Sequence, residues 1–117
     1  MRAIGLQYAD SCFHYVVLSD AGDVFVRKTI RANYDELRRE FRAFEPTCVA
    51  IEASASTKWA VDLLTRLNHA VQVAPCLPEM GLTSESRAEH HARHLRTLWN
   101  RGIAAMRAAA QDTALRA

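Results

Sequence analysis

The 117-residue chain has only three cysteines, Cys12, Cys48 and Cys76. They are odd in number and scattered, which argues against a disulfide framework or a Cys-x-x-Cys metal site. Each reads as a small hydrophobe. No apolar run approaches the roughly 20 residues that a membrane span requires. Met1-Arg2-Ala3 leads straight into a strand pattern without the apolar core of a signal peptide. The expected setting is therefore cytoplasmic, with no membrane partner. Charge of one sign is also scarce. The net charge is +2, which by itself predicts no polyanionic partner. Lysine is nearly missing, since 13 of the 15 basic residues are arginine.

Half of the residues are hydrophobic, and at this length that supports one domain with its own core. We read residues 1–83 as an α/β core and 84–117 as a C-terminal helix that completes the domain and extends from it. Ala3 to Ala9 is an apolar run of strand length, and Gly5 within it predicts that something packs closely there. Asp10-Ser11 is a tight turn. Cys12 to Leu18 is rich in aromatic and β-branched residues, and Ser19 to Asp23 is a hairpin signal leading into Val24 to Ile30. These three segments form an antiparallel meander.

Asn33 with Glu36 three residues on is a capping-box arrangement, after which Tyr34, Leu37, Phe41 and Phe44 recur at helical spacing until Pro46 stops the helix. Cys48 to Glu52 is short and apolar enough to be a strand buried on both faces, as in parallel pairing. Ser54 to Thr57 supplies N-cap candidates for a second helix whose inward stripe is Ala60, Leu63, Leu64 and Leu67, closed by Asn68-His69. Val71 to Ala74 is a fifth strand, ended by Pro75 and Pro78. From about Ser84 the chain is helical again, with Leu95, Trp99, Ile103, Met106 and Ala110 on one stripe. That helix outruns a domain of this size, so its far end is expected to pack on another copy or another segment or else to fray, and a homodimer through it is the leading expectation. A meander followed by right-handed crossovers predicts a mixed five-stranded sheet of order 3-2-1-4-5 with helices on both faces.

Glu52 is the acid delivered to a strand end, the place where open α/β sheets put chemistry. Its plainer role is a structural one, bonded to the backbone N–H groups of Ser54 or Ser56. Gln7 is read as its satisfied polar neighbour. His90 and His94 stand at i, i+4 on a helix face, a spacing that can hold zinc, although a polar, imidazole-rich face explains them without metal. Arg93, Arg96 and Arg107 flank the terminal stripe as candidate phosphate contacts, against the plainer reading of a solvated face.

Three stretches carry a resemblance. Ile4-Gly5-Leu6-Gln7-Tyr8-Ala9-Asp10-Ser11 with Phe13-His14, then Ile51-Glu52-Ala53-Ser54 through Lys58-Trp59-Ala60, and then Ser86 to Leu95 together resemble the N-terminal RNase H-like (RuvC-like) domain of the DEDD insertion-sequence transposases. That family includes the pilin-gene invertase and the RNA-guided bridge recombinases. The second stretch is the most specific match. The resemblance spans roughly residues 1 to 100, and the family's second domain, with its nucleophilic serine, has no counterpart in them. It implies an RNase H-like fold and a set of four carboxylates at strand ends holding divalent metal. Here the first aspartate position is Gln7, the glutamate is Glu52, and the paired aspartates fall on Ala88 and His91. A register shifted by two would put Ser86 and Glu89 there instead.

Magnesium needs several oxygen ligands, carboxylates foremost, and a two-metal clamp needs shared ones. The expectation is therefore a degenerate site without cofactor, in a module that binds duplex DNA or structured RNA or serves assembly. One alternative is a metal-dependent nuclease or recombinase with an altered site around Glu52 that binds magnesium or zinc weakly. The other is a truncated remnant without a selected role.

Overall fold

Residues 2–52, 54–74 and 83–97 are described by the computed structural model. Strand β1 (Ala3–Ala9) returns as β2 (Cys12–Leu18) through Asp10 and Ser11, which both take positive φ, 53° and 61°. Two successive left-handed residues make the mirror-image turn whose twist matches the strands it joins. The next turn is held by Ser19 N–H to the Asp23 carbonyl and Gly22 N–H to the Ser19 carbonyl, each 2.9 Å, with Gly22 at φ +90°. It delivers β3 (Val24–Arg31). Helix α1 (Tyr34–Arg42), strand β4 (Cys48–Glu52), helix α2 (Lys58–Arg66) and strand β5 (Ala70–Ala74) follow. A third helix, α3, covers residues 84–97.

The strands form one sheet of order β3-β2-β1-β4-β5, as the sequence predicts. β1, β2 and β3 pair antiparallel, whereas β1–β4 and β4–β5 pair parallel. No helix among the described residues is long and apolar enough to cross a membrane.

Strand parity sorts the core into two layers. Ile4 and Leu6 of β1, Phe13, Tyr15 and Val17 of β2, and Val49 and Ile51 of β4 face Leu37 and Phe41 of α1 and Ala60, Leu63 and Leu64 of α2. Residues of the other parity face α3: Ala3, Cys48 and Ala50 pack with Leu95, and Val16 and Leu18 with Ala88 and Ala92. α3 therefore buries positions 88, 92 and 95, the spacing of one helix face. Gly5 is where α3 comes closest. A Cβ added there would lie 1.8 Å from the Ala88 carbonyl oxygen and 2.7 Å from the Ala92 nitrogen.

Some local expectations are corrected. Glu36 N–H donates to Asn33 Oδ1 at 2.8 Å, but the Glu36 carboxylate accepts from Arg31 N–H (2.9 Å), so only half of the capping box forms. α1 ends at Arg42, before Pro46, and Phe44 packs from the following loop. Tyr34 is half exposed rather than inward. Thr57 occupies the N-cap of α2 without a side-chain cap bond, because its hydroxyl bridges the Glu52 and Ser54 carbonyls, each at 3.1 Å. Asn68, at φ 67°, closes α2 as expected. The buried His69 then ties the ends of the two helices together. Its Nδ1 accepts from Thr47 N–H (3.3 Å), so Nε2 carries the proton that bonds the Phe41 carbonyl (2.8 Å).

Tyr15 and Glu40 give the fold a dependence on alkaline pH. The buried Tyr15 hydroxyl donates to the Glu40 carboxylate, which also accepts from Lys28 Nζ at 2.7 Å. Burial first, then the Glu40 hydrogen bond and charge, raise the phenol above its ordinary value of 10.0. A folded value above the unfolded one means this contribution is complete below pH 10.0 and declines as pH rises beyond it. Tyr15→Phe is expected to cost about 1 kcal/mol at neutral pH and to lack that decline. Urea unfolding from pH 7 to 11 checks this, and equal alkaline slopes for the two proteins would refute it.

Candidate functional site

The β1–β4 register pairs Leu6 with Ile51, so one residue further on Gln7 stands beside Glu52. Both have the parity that faces α3. On α3, Arg87 and His91 are one turn apart on the flank of the buried stripe, which brings them over the carboxyl ends of β1 and β4. Four of the described side chains converge there. Glu52 Oε2 accepts from Gln7 Nε2 at 3.0 Å. Glu52 Oε1 lies 3.0 Å from Arg87 Nη2 and 2.8 Å from His91 Nε2, and Arg87 Nη2 also lies 3.3 Å from Oε2. Gln7, Glu52 and His91 are each at least nine-tenths buried.

A carboxylate only accepts, so His91 Nε2 carries hydrogen. Gln7 likewise turns its amide nitrogen to Glu52, because its oxygen would meet a like-charged atom. The Gln7 nitrogen also lies 3.3 Å from the Tyr8 carbonyl, and its buried Oε1 has no hydrogen-bond partner among the described residues. In a dry setting, charge-assisted bonds of this kind are strong, and removing one member leaves the others uncompensated.

The donor chemistry decides whether a divalent metal fits. Such an ion needs several oxygen ligands. Among the described residues one carboxylate stands here with both oxygens engaged, the neighbouring amide presents nitrogen, and a guanidinium 3.0 Å from the carboxylate would repel a cation. These residues do not fit the magnesium site that the resemblance implies. Among the described residues no group of three or more His, Cys, Asp or Glu could hold a metal ion. His90 and His94 are both exposed, with the His90 ring edge-on to that of His91 at 5.7 Å.

Of the two registers considered for α3, the one that puts Ala88 and His91 where the resemblance expects acids faces the sheet. Ala88 is fully buried with its carbonyl against Gly5, and His91 bonds Glu52. Ser86 instead takes part in starting the helix, its N–H donating to Thr83 Oγ1 at 3.1 Å. Glu89 turns to the edge of the sheet, where hydrogen bonds from Arg27 and Arg93 hold its carboxyl below the usual carboxylate range.

Arg93 and Arg96 fasten α3 to the β2–β3 turn. Arg93 Nη1 bonds the Gly22 carbonyl (3.1 Å) and Arg96 Nη2 the Asp20 carbonyl (2.6 Å). Arg107 and the stripe from Trp99 to Ala110 lie outside the described residues, as does Cys76. Ser54 N–H, one of the groups expected to hold Glu52, instead donates to Thr57 Oγ1 at 3.2 Å.

Arg87 is the site residue that sequence reasoning missed. A signal for it was present, since Arg87 and His91 are separated by four and flank the Ala88, Ala92, Leu95 stripe. A charged residue beside an inward stripe, facing a strand-end acid, is a ready partner for it.

No protein-family model matches the chain, and no curated protein matches it either. Among solved structures it is similar to Thermus thermophilus RuvC, with a TM-score of 0.56 and 12% sequence identity over 79% of this chain and 90% of that one. Together with the sheet order, this likeness shows an RNase H-like fold. At such identity it carries the fold alone, because one fold hosts many activities.

Proposed function

We propose that the chain is a catalytically inactive RNase H-like domain of insertion-sequence-transposase ancestry, acting as a nucleic-acid-binding or assembly module in DNA transposition or recombination. The observation that supports this most is the neutralised Glu52. Arg87 and His91 meet its carboxylate from within the chain, and Gln7 and Ala88 stand where the resemblance expects acids. A guanidinium and an imidazole bring hydrogen-bond donors to the acid, yet they leave no open coordination position to polarise a phosphoryl oxygen or activate water. What remains useful is the scaffold. Assembly as a homodimer through the C-terminal helix belongs to the same proposal.

Branched, duplex and single-stranded DNA incubated with Mg²⁺, Mn²⁺ or Zn²⁺ should be cut no faster by the natural protein than by Glu52→Gln. Duplex DNA or structured RNA should nonetheless be retarded at low salt and released as salt rises. Light scattering at micromolar concentration should give twice the chain mass. Cleavage that disappears in Glu52→Gln would establish the rival reading, a metal-dependent nuclease or recombinase with an altered site. Failure to bind any nucleic acid at low salt would leave a remnant fold without this role.

A further inference from the structure

We infer that the outer flank of α1, carrying Arg38, Arg39 and Arg42, is a surface that binds the phosphate backbone of duplex nucleic acid. This inference rests on the nucleic-acid reading above and names the surface that carries it out.

The use of arginine differs sharply between the two faces of the sheet. On the α3 side, Arg87, Arg93 and Arg96 each bond an acid or a backbone carbonyl, as does Arg27 of the neighbouring edge strand. On the opposite side, Arg38, Arg39 and Arg42 are exposed and make no hydrogen bond or ion pair among the described residues. Arg39 acts only at range on Glu40. The three line one recess of about 510 Å³ together with Asp35 and Ala43.

Complementing the helix dipole explains cations in the last turn, where Arg39 and Arg42 stand. It does not explain Arg38 or the shared recess. At about 100° per residue, Arg38 and Arg42 share a flank of α1 with Tyr34, one of three large hydrophobic side chains exposed among the described residues. Phe25, another of these, has the Arg2 guanidinium 4.8 Å from its ring centroid. An exposed phenol beside guanidinium groups suits a sugar-phosphate backbone, since arginine holds phosphate bidentately and tyrosine adds a donor. Asp35 repels phosphate from the N-terminal end of the recess, which directs the backbone toward Arg42. The ends of α1 and α2 are joined through His69 and Phe41, so Arg66, in the last turn of α2, adds charge at the same end of this layer.

The test is titration of a fluorescent duplex DNA at several salt concentrations with three proteins: natural, Arg38→Gln/Arg39→Gln/Arg42→Gln, and the corresponding triple lysine variant. Thermal melts establish that each is folded. Three lost phosphate contacts should make the dependence of log affinity on log salt shallower by about 2.7. Equivalently, between 50 and 200 mM salt the natural protein should lose roughly 40-fold more affinity than the glutamine variant. The lysine variant should keep the natural slope. Binding with an unchanged slope in the glutamine variant overturns this surface while leaving the nucleic-acid reading intact. No binding by the natural protein to this duplex or to a structured RNA at low salt overturns both. Binding to anionic phosphatidylserine vesicles but not to DNA also overturns the inference.

Discussion

Gly5→Ala is expected to cost about 3 kcal/mol, because the added methyl would sit 1.8 Å from the Ala88 carbonyl oxygen, and a helix backbone cannot yield as a side chain does. The cheapest relief is to lift α3 as a unit, which strips the cover from Ala50, Val16 and Leu18 and draws Arg87 and His91 off Glu52. Gly22→Ala is the internal comparison. Its φ of +90° is strained for alanine, yet the atoms its Cβ would meet belong to the flexible Arg96 side chain. The cost there should be nearer 1 kcal/mol. Denaturant unfolding of both variants checks the ranking. A Gly5→Ala protein within about 0.5 kcal/mol of the natural one would mean that α3 is not seated on β1 as described.

Glu52→Gln is expected to destabilise the fold by about 3–5 kcal/mol. The substitution keeps the shape of the side chain but removes the only carboxylate among these four side chains, and it presents a partly buried guanidinium with an amide. The sign of the effect is as informative as its size. In a working metal site built from clustered acids, changing one acid to an amide relieves repulsion in the metal-free protein and stabilises it. A stabilised Glu52→Gln protein would therefore overturn the neutralised-site reading independently of any activity assay. The companion variant Glu52→Leu/Arg87→Met/His91→Leu should recover much of the loss, since apolar side chains of similar volume often replace a buried ionic cluster without penalty. Magnesium should leave the melting temperature of the natural protein unchanged, whereas an ion that binds the folded state raises it.

These two positions also separate what pattern reveals from what packing decides. Gly5 was legible, because a glycine inside an apolar strand has few reasons to be there other than close approach. The partner in that approach was not legible, since nothing in positions 3–9 distinguishes a helix at 84–97 from any other cover. Glu52 at a strand end was legible for a similar local reason. Its partners were only partly so. Gln7 and His91 came from the resemblance, Arg87 was passed over, and Ser54 N–H, one of the groups named as a structural partner, bonds Thr57 while two side chains of α3 meet the carboxylate. The N-cap of α2 was legible in position, since Thr57 stands there, but not in its bonding, because a threonine hydroxyl has several carbonyls within reach and only the path of the chain selects among them.

The strand order, the meander and both crossovers were therefore determined by the sequence itself. Each follows from turn chemistry and from periods of 2 and 3.6 residues that local sterics impose. Only the tertiary structure decided which charges meet. It set Arg87 and His91 on Glu52, Arg93 and Arg96 on a hairpin turn, and left Arg38, Arg39 and Arg42 facing outward. An arginine reads the same in sequence wherever it stands, and its role depends on distances of 3 to 4 Å that arise only when elements far apart in the chain pack together.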